Sequence, residues 1–423
     1  MAKPDLNELG TTGLRRSGGF ITEEFLTQLR GKRGLLVYRE MADNDPVIGS
    51  ILYAIEKVVL RLEWRVDPFD DSPQAKELAE FIDGCLEDMS DSWDQTLASI
   101  LSMLVYGFSF HEIVYKIRSG DVEDPQRKSK FKDGKIGWRK FPIRSQETLN
   151  NWLMDTEGGI QGFRQMDPTG GGFRDIPIDK GLLFRTTVNK NNPEGRSLLR
   201  NCFRPWYYKR RIEEIEAIGI ERDLAGLPVA KVPPEYLSSG ATAAQAAVLA
   251  EITKIVQNIK RNEQEGVIFP KMYDENNNEM FSLELLSSGG SRQFDTDKVI
   301  SRYDQRISMS VLSDFILLGH EQVGSFALGS QKMDLWTMSV EAIAKSITEV
   351  MNAYAIPRLI KLNGMNTELL PYLTYGEVSS VNLAELADYV QKLVGAGVLM
   401  PDGNLEGYLR EQASLPPAEN LVD

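Results

Sequence analysis

The sequence has few of the residues that build disulfide frameworks, zinc sites and histidine-dependent active sites. Its 423 residues include only two cysteines, Cys85 and Cys202, and only two histidines, His111 and His320. Two cysteines cannot make a disulfide framework, which suits a protein of a reducing cytoplasm. Two histidines weigh against a zinc site or a Ser-His-Asp triad. We therefore predict no catalytic residues, no bound metal and no cofactor.

Long apolar runs and an excess of basic residues are also missing. No stretch of 18 apolar residues occurs, so no membrane-spanning helix is predicted. The first ten residues, MAKPDLNELG, lack the basic and apolar regions of a signal peptide, and we expect none. With 48 Lys plus Arg against 61 Asp plus Glu, the net charge is −13, which argues against a broad nucleic-acid-binding face. Contact with nucleic acid through a small local surface stays open.

The first half of the chain has the pattern of helices followed by strands. Hydrophobic residues make up 42% and charged residues 26%, as in globular proteins, and the length predicts two to four structural units. Apolar spacing predicts a helix over 21–30, a second helix that begins after an Asp45-Pro46 cap, and two further helices over 73–89 and 93–106. Strands are predicted from about 112 to 188, and the GFSFHEIVYKIR segment before them predicts a strand compatible with a bulge. We therefore predict one α+β unit at 21–196.

The second half contains two long helix patterns with a different region between them. These helices are predicted over 197–223, where Pro205 either kinks the helix or marks its first turn, and over 294–318. Between them the sequence predicts an extended piece, a capped helix and a hairpin across DENNNE. After a glycine-rich interruption, helices are predicted over 331–355, where Pro357 disturbs the pattern, over 381–395 and over 403–412.

The segments that could carry chemistry have simpler structural explanations. Gly170–Gly172 is not followed by the Gly-Lys-Ser/Thr of a phosphate loop, so a hairpin loop is favoured over a nucleotide site. His111 and Glu112 are neighbours in a strand-like segment and should face opposite ways, which favours a packing or surface role for His111 over catalysis. His320 is expected to complement the end of a helix rather than to bind a metal.

The cluster from Trp206 to Arg211 alternates aromatic residues with cations and has two explanations. It could stack on bases and neutralise phosphates. Alternatively, its aromatics are core residues and its cations contact an identical subunit, with Arg210 and Arg211 pairing to Glu213 and Glu214 of the neighbour. We favour the subunit contact, because acidic residues follow the cations immediately.

Residues 319–330 form the most unusual segment. Gly319, Gly324 and Gly329 interrupt two strong helical patterns and allow the backbone to bend. The segment is either a surface connection between packed helices or a mobile loop that projects into a cavity or channel. The sequence by itself leaves these two interpretations about equal.

The order of several segments resembles that of tailed-bacteriophage portal proteins, especially the Mu-like branch. The segments are DNDPVIGSILYAIEKVVLRLEWRV (43–66), LVYGFSFHEIVYKI (104–117), NKNNPEGRSLLRNCFRPWYYKRR (189–211), the helix and loop at 294–330, and GAGVLMPDGNLEGYLREQASLPP (395–417). Each motif is loose, but their order and spacing together cover most of the chain.

The resemblance implies a portal fold of class α+β. It assigns a flexible N-terminus (1–20), an α/β wing (21–196), stem helix 1 (197–223), a small α/β clip (224–293), stem helix 2 (294–318), a tunnel loop (319–330), a returning wing helix (331–363) and a short helical crown with a C-terminal tail (364–423). The short C-terminal portion departs from larger portals, so no extended crown barrel is expected.

The resemblance also implies a mechanical function. Portals form a ring, usually of twelve subunits, at one capsid vertex, and conduct double-stranded DNA during packaging and ejection without sequence specificity. The implied partners are the terminase large subunit, the major capsid and scaffolding proteins and head-tail connector proteins, in a virion assembled in the host cytoplasm. Because ATP hydrolysis would belong to the terminase, the chain is not expected to be an enzyme.

Two other classes of protein compete with the portal interpretation. One is a phage structural adaptor without a channel, such as a tail or baseplate subunit, and the weaker one is a metal-dependent phage nuclease. Under the portal interpretation the residues nearest the DNA are those of the tunnel loop: Gln322, Val323, Gly324, Ser325 and Phe326.

Overall fold

The computed structural model divides the chain into two compact units. It describes residues 10–124, 126–225, 227–258, 279–286, 295–311, 326–376 and 383–413, together with residues 273, 313 and 415. The larger unit contains residues 1–202 and 308–423, and the smaller unit contains residues 203–307. Each unit is described below by itself.

The described helices and strands follow the predicted order of helices, then strands, then helices. The helices are α1 (Gly31–Asn44), α2 (Pro46–Arg61), α3 (Pro73–Glu87), α4 (Trp93–Ile100), α5 (Ser102–Tyr106), α6 (Phe203–Ala225), α7 (Pro234–Leu237), α8 (Ala243–Asn258), α9 (Thr296–Ser310), α10 (Phe326–Val350), α11 (Ile356–Leu362), α12 (Leu383–Gly395) and α13 (Gly403–Gln412). The strands are β1 (Arg16–Ser17), β2 (Phe20–Ile21), β3 (Trp64–Asp67), β4 (Phe108–Glu112), β5 (Val114–Ile117), β6 (Ile136–Lys140), β7 (Ile143–Arg144), β8 (Leu149–Met154), β9 (Ile160–Met166), β10 (Phe173–Pro177), β11 (Gly181–Arg185), β12 (Leu227–Lys231), β13 (Ser282–Leu286) and β14 (Tyr372–Tyr375). This mixture confirms the α+β class.

Small antiparallel sheets make up the β part of the larger unit. Two have three strands, in the orders β10-β9-β8 and β11-β4-β7, and β5-β6, β14-β3 and β1-β2 are two-stranded. The GFSFHEIVYKIR segment supplies both β4 and β5, which pair in different sheets on either side of the fully buried Ile113. The segment predicted as one strand, compatible with a bulge, is therefore two strands, and the chain leaves one sheet for the other between them.

An aromatic cluster joins the two three-stranded sheets. Phe110 stacks on Phe163 with ring centroids 4.8 Å apart, and the rings of Trp152 and Phe108 are arranged edge to face with centroids 5.3 Å apart. All four side chains are at most 2% exposed. Such ring pairs contribute about 0.5–1.5 kcal/mol each beyond the burial of their surface, so this cluster fixes how the two sheets pack.

Several helix ends are set by the residues that the sequence predicts. The Asp45 carboxylate accepts hydrogen bonds from the backbone N–H groups of Val47 and Ile48, both at 3.0 Å, and Pro46 is the first residue of α2. Pro205 lies in the first turn of α6, where a missing N–H group costs nothing. Ahead of Pro357 the helix widens into a π-helical turn at Met351–Ala355, which makes room for the proline ring.

The structure corrects the prediction at the N-terminal end. Instead of a helix over 21–30 there is only a short 3₁₀ turn at Thr27–Leu29, and α1 begins at Gly31. The Glu24 carboxylate accepts from the N–H group of Leu26, and Arg30 donates to the carbonyl of Glu24, so local bonds replace the helical ones. Residues 16–21, for which the sequence predicts mainly flexible chain, form the β1-β2 hairpin.

A second difference concerns the start of the C-terminal segment. Strand β14 lies at 372–375, in the segment that the resemblance assigns to the crown, yet it pairs with β3 at 64–67 in the segment assigned to the wing. Leu373 of β14 is 2% exposed. Pairing between residues so far apart in sequence leaves no local pattern from which the strand could be predicted.

Candidate functional site

The predicted tunnel loop lies largely beyond the part of the chain that the structure describes. Gln322, Val323, Gly324 and Ser325 are outside the described residues, and Phe326 is the first residue of α10. The last five residues of the predicted 319–330 loop are therefore helical. Residues 326–336 (FALGSQKMDLW) are mostly good helix formers, which together tolerate Gly329 within the helix.

Within the smaller unit, the two long helices α6 and α9 contact each other through both charge and aromatic rings. The Lys209 ammonium group lies 2.6 Å from Asp304 Oδ1, and the Lys209 side chain is only 3% exposed. The rings of Tyr208 and Tyr303 stack with centroids 6.4 Å apart, and the Thr296 hydroxyl donates to the Glu216 carboxylate. These contacts recur along both helices and hold them side by side.

The four residues predicted to pair with a neighbouring subunit interact with their own helix. Arg210 Nε lies 3.2 Å from Glu214 Oε1, one turn away, and Arg211 donates to the Tyr207 hydroxyl at 3.3 Å. Glu213 Oε1 lies 3.9 Å from the ammonium group of Lys209. Pairing of Arg210, Arg211, Glu213 and Glu214 across subunits therefore stays a prediction.

Lys209 and Asp304 are the residues of this helix pair that the sequence analysis missed. Lys209 belongs to the aromatic and cationic cluster, and Asp304 follows Tyr303 of the apolar stripe on α9. The sequence feature that could have identified them as buried is that each lies next to apolar or aromatic residues. Nothing local distinguished Lys209 from the exposed Arg210, because its burial depends on a carboxylate 95 positions later.

Three isoleucines on α6 are exposed. Ile215 is 65%, Ile218 48% and Ile220 40% exposed. Ile215 and Ile218 are three residues apart and so share one face of the helix. This face is apolar surface that another protein chain can bury.

His111 is a core residue, the packing alternative of the two non-catalytic roles that the sequence left open. Its Nδ1 lies 2.8 Å from the Phe141 carbonyl oxygen and its Nε2 lies 2.6 Å from the Ser109 hydroxyl. Burial lowers the pKa of His111 to about 4, so the ring is neutral at pH 7. Glu112 instead binds Arg144, whose Nε lies 3.1 Å from Glu112 Oε2, so the two neighbours have separate partners.

The glycine-rich motif is also a structural feature, whereas His320 lies outside the described residues. Gly170–Gly172 lies in the hairpin between β9 and β10, where the Asp167 carboxylate accepts from the N–H groups of Thr169 and Gly170. Among the described residues, no three or more His, Cys, Asp or Glu side chains are arranged to hold a metal ion. None of the described helices is both long and apolar enough to cross a membrane.

Comparison with known proteins agrees with this architecture. The family model for the portal protein of Mu bacteriophage matches residues 35–412. The chain belongs to this family. The match begins within α1 and ends at the last residue of α13, so it covers all of the smaller unit and most of the larger unit of this portal-family chain.

Among the solved structures with a similar fold are chains of gene transfer agent particles. A chain from the neck of a native gene transfer agent particle, computed with C12 symmetry, is 11% identical, with 92% of this chain and 95% of that chain covered and a TM-score of 0.53. A chain from the virion of a native gene transfer agent particle gives 11% identity, 91% and 94% coverage and a TM-score of 0.53. An HK97-family phage portal protein from Corynebacterium diphtheriae is 13% identical over 83% of this chain and 96% of that chain, with a TM-score of 0.44.

Proposed function

We propose that this chain forms a homo-oligomeric ring at one capsid vertex and conducts double-stranded DNA during packaging and ejection. The observation that carries the proposal is the match to the Mu portal family over residues 35–412. The similar fold of a chain from a particle neck computed with C12 symmetry supports a closed ring of twelve subunits. In this proposal the family role is structural, and the energy for packaging comes from the terminase.

In this ring, α6 and α9 are the two stem helices. They are long, and direct contacts join them, namely the ion pair between Lys209 and Asp304 and the stacking of Tyr208 on Tyr303. The clip is the part of the smaller unit that joins these helices. There, β12 pairs with β13, and α8 begins at a reciprocal Thr242–Gln245 cap.

The proposed channel wall touches DNA without holding it. A wall that neutralised many phosphates would bind DNA tightly and slow its passage, because each neutralised phosphate releases counterions. A subunit with a net charge of −13 avoids such attachment. The side chains proposed to lie closest to the axis are Gln322, Val323, Ser325 and Phe326, which are polar or apolar but uncharged.

The proposed partners follow from the same role. The ring would bind the terminase large subunit during packaging, the major capsid and scaffolding proteins during head assembly, and head-tail connector proteins afterwards. It would assemble in the host cytoplasm and stay in the virion.

Electron microscopy of the purified chain tests the ring. We expect closed rings with an axial hole wide enough for a DNA duplex. A monomer, or an assembly without an axial hole, would contradict the portal proposal and favour a structural adaptor without a channel.

A charged substitution tests the tunnel loop. We expect Val323→Arg to reduce DNA packaging while the ring still assembles, since an added cation at each of many subunits would bind passing phosphates. A matched control is Val188→Arg, which changes a valine that is 63% exposed in the larger unit. Equal packaging by the Val323→Arg variant and the wild type would rule out this placement of the loop.

A further inference from the structure

A cavity of about 790 Å³ lies in the larger unit, among the N-terminal hairpin, α1, α5 and the loop that follows β11. This volume lies within the range of sites that hold small molecules, about 300–1,000 Å³. Its aromatic lining consists of Phe20, Phe25, Tyr38, Tyr106 and Phe108. The cavity takes no part in the contacts that join the stem helices.

Most of the charged side chains that line the cavity already have partners. Lys190 lies 3.1 Å from Glu23, Arg200 donates to Glu24 at 2.9 Å, Arg30 donates to the carbonyls of Glu24 and Phe25, and Arg196 donates to Asn201 at 2.8 Å. Lys32 is exposed, and the structure shows no ion pair for it among the described residues. Of the three carboxylates that line the cavity, only Glu194 has no cationic partner within the described part of the chain.

The position of Glu194 is fixed by its backbone and by one weak side-chain bond. Its N–H group donates to Asn192 Oδ1 at 3.0 Å, and its Oε1 accepts from the indole N–H of Trp152 at 3.4 Å. An ionised carboxylate has about four lone-pair positions for hydrogen bonds, so most of its capacity is unused. Burial raises the pKa of Glu194 to about 7, because no nearby cation offsets the loss of water.

Glu194 lines the same cavity as the five aromatic side chains, and a carboxylate together with aromatic rings is the chemistry that recognises organic cations. The carboxylate supplies charge and hydrogen-bond acceptors, and aromatic faces attract an ammonium or guanidinium group placed over them. We propose that this cavity binds an ammonium or guanidinium group whose charge meets Glu194 and whose apolar carbons lie against the aromatic lining. The group comes either from a free polyamine or from a lysine or arginine side chain of a second copy of the chain.

Calorimetric titration of the full chain with agmatine and with putrescine tests the site. At pH 8 a carboxyl group with a pKa of about 7 is about 90% ionised, and at pH 5.5 about 3%, so affinity should fall about thirtyfold between these values. Glu194→Gln keeps an acceptor for Trp152 and should abolish both the binding and its pH dependence. The matched control is Glu77→Gln, on an exposed position of α3 outside the cavity.

The two sources of the cation give different results. Binding of agmatine or putrescine that is lost in Glu194→Gln and kept in Glu77→Gln supports a free amine. If neither probe binds, but sedimentation shows weaker self-association of Glu194→Gln than of Glu77→Gln, the cation belongs to a second copy. If the probes do not bind and the two variants associate equally, the proposal is wrong. The proposal would also be wrong if the affinity of the wild type for the probes were the same at pH 8 and pH 5.5. This outcome does not depend on whether the variants fold.

Discussion

The ion pair between Lys209 and Asp304 predicts an unequal cost for removing its two charges. Lys209 is 3% exposed and Asp304 is 23% exposed, so the lysine depends far more on its partner than the aspartate does. Breaking a buried pair by removing one partner typically costs about 3–5 kcal/mol. We expect Asp304→Asn to approach that range, because Glu213 at 3.9 Å compensates Lys209 only in part. Lys209→Met should cost roughly half as much, because the Asp304 side chain is partly exposed even though its Oδ1 atom is buried.

Hydrogen exchange measured by mass spectrometry on α6 and α9 tests this prediction, since it reports the opening of this helix pair separately from the rest of the chain. The double variant Lys209→Met with Asp304→Leu should recover most of the loss, because it removes both charges and keeps apolar volume. Arg210→Met is the control, and it should cost less than about 0.5 kcal/mol because its pair with Glu214 is exposed. Equal exchange rates for Asp304→Asn and Arg210→Met would show that burial of Lys209 does not make its partner important.

Two further predictions concern the larger unit. Because burial raises the pKa of Glu194 from 4.5 to about 7, its stabilising contribution is complete below pH 4.5 and is lost as the pH rises through 7. Without ligand, the free energy of unfolding of Glu194→Gln should therefore exceed that of the wild type by about 3 kcal/mol at pH 8 and should be about the same at pH 4. Urea unfolding measures this difference. Equal stability of the two proteins at pH 8 would contradict the prediction. Gly107 has φ +94°, and a Cβ atom there would lie 2.4 Å from the Glu194 carbonyl oxygen, whereas Gly134, with φ +70°, faces open space. Gly134→Ala should cost about 1 kcal/mol of stability from backbone strain. Gly107→Ala should cost clearly more stability, because it adds the close contact to the same strain. Similar melting temperatures for the two variants would refute the close contact.

The parts of the fold that could be predicted are those specified by neighbouring residues. The cap at Asp45 and the two C-terminal helices are examples: helices predicted over 381–395 and 403–412 occur at Leu383–Gly395 and Gly403–Gln412. Their periodicity and capping residues lie within the helices or next to them. The predicted helix over 21–30 failed because side chains of the same segment compete for its backbone groups, which periodicity does not detect.

The parts that could not be predicted depend on residues far away in sequence. Strand β14 exists because β3, about 300 residues earlier, pairs with it, and its four residues are too few to show an alternation of their own. The partner of Lys209 is likewise fixed by the packing of α6 on α9. Among the candidate site residues, the sequence identified the helix that carries the charged cluster but not which cation is buried. The cavity at Glu194 left no motif at all, since its lining comes from several separate segments.

The surface of α6 indicates which force should hold neighbouring subunits together in the proposed ring. Arg210 and Glu214 already interact along their own helix, so pairing with a neighbour would exchange one exposed ion pair for another and gain little, about 0–1 kcal/mol. Ile215 and Ile218 are exposed, and full burial of such a side chain contributes about 1.5–3 kcal/mol. Subunit contacts along this helix should therefore be mainly apolar, with the charges deciding which faces can meet. Rings held in this way should survive 1 M salt, where exposed charges are screened beyond about 3 Å. The double variant Ile215→Ser with Ile218→Ser should weaken the ring. Collapse of the wild-type ring at modest ionic strength would show instead that the ion pairs supply the cohesion.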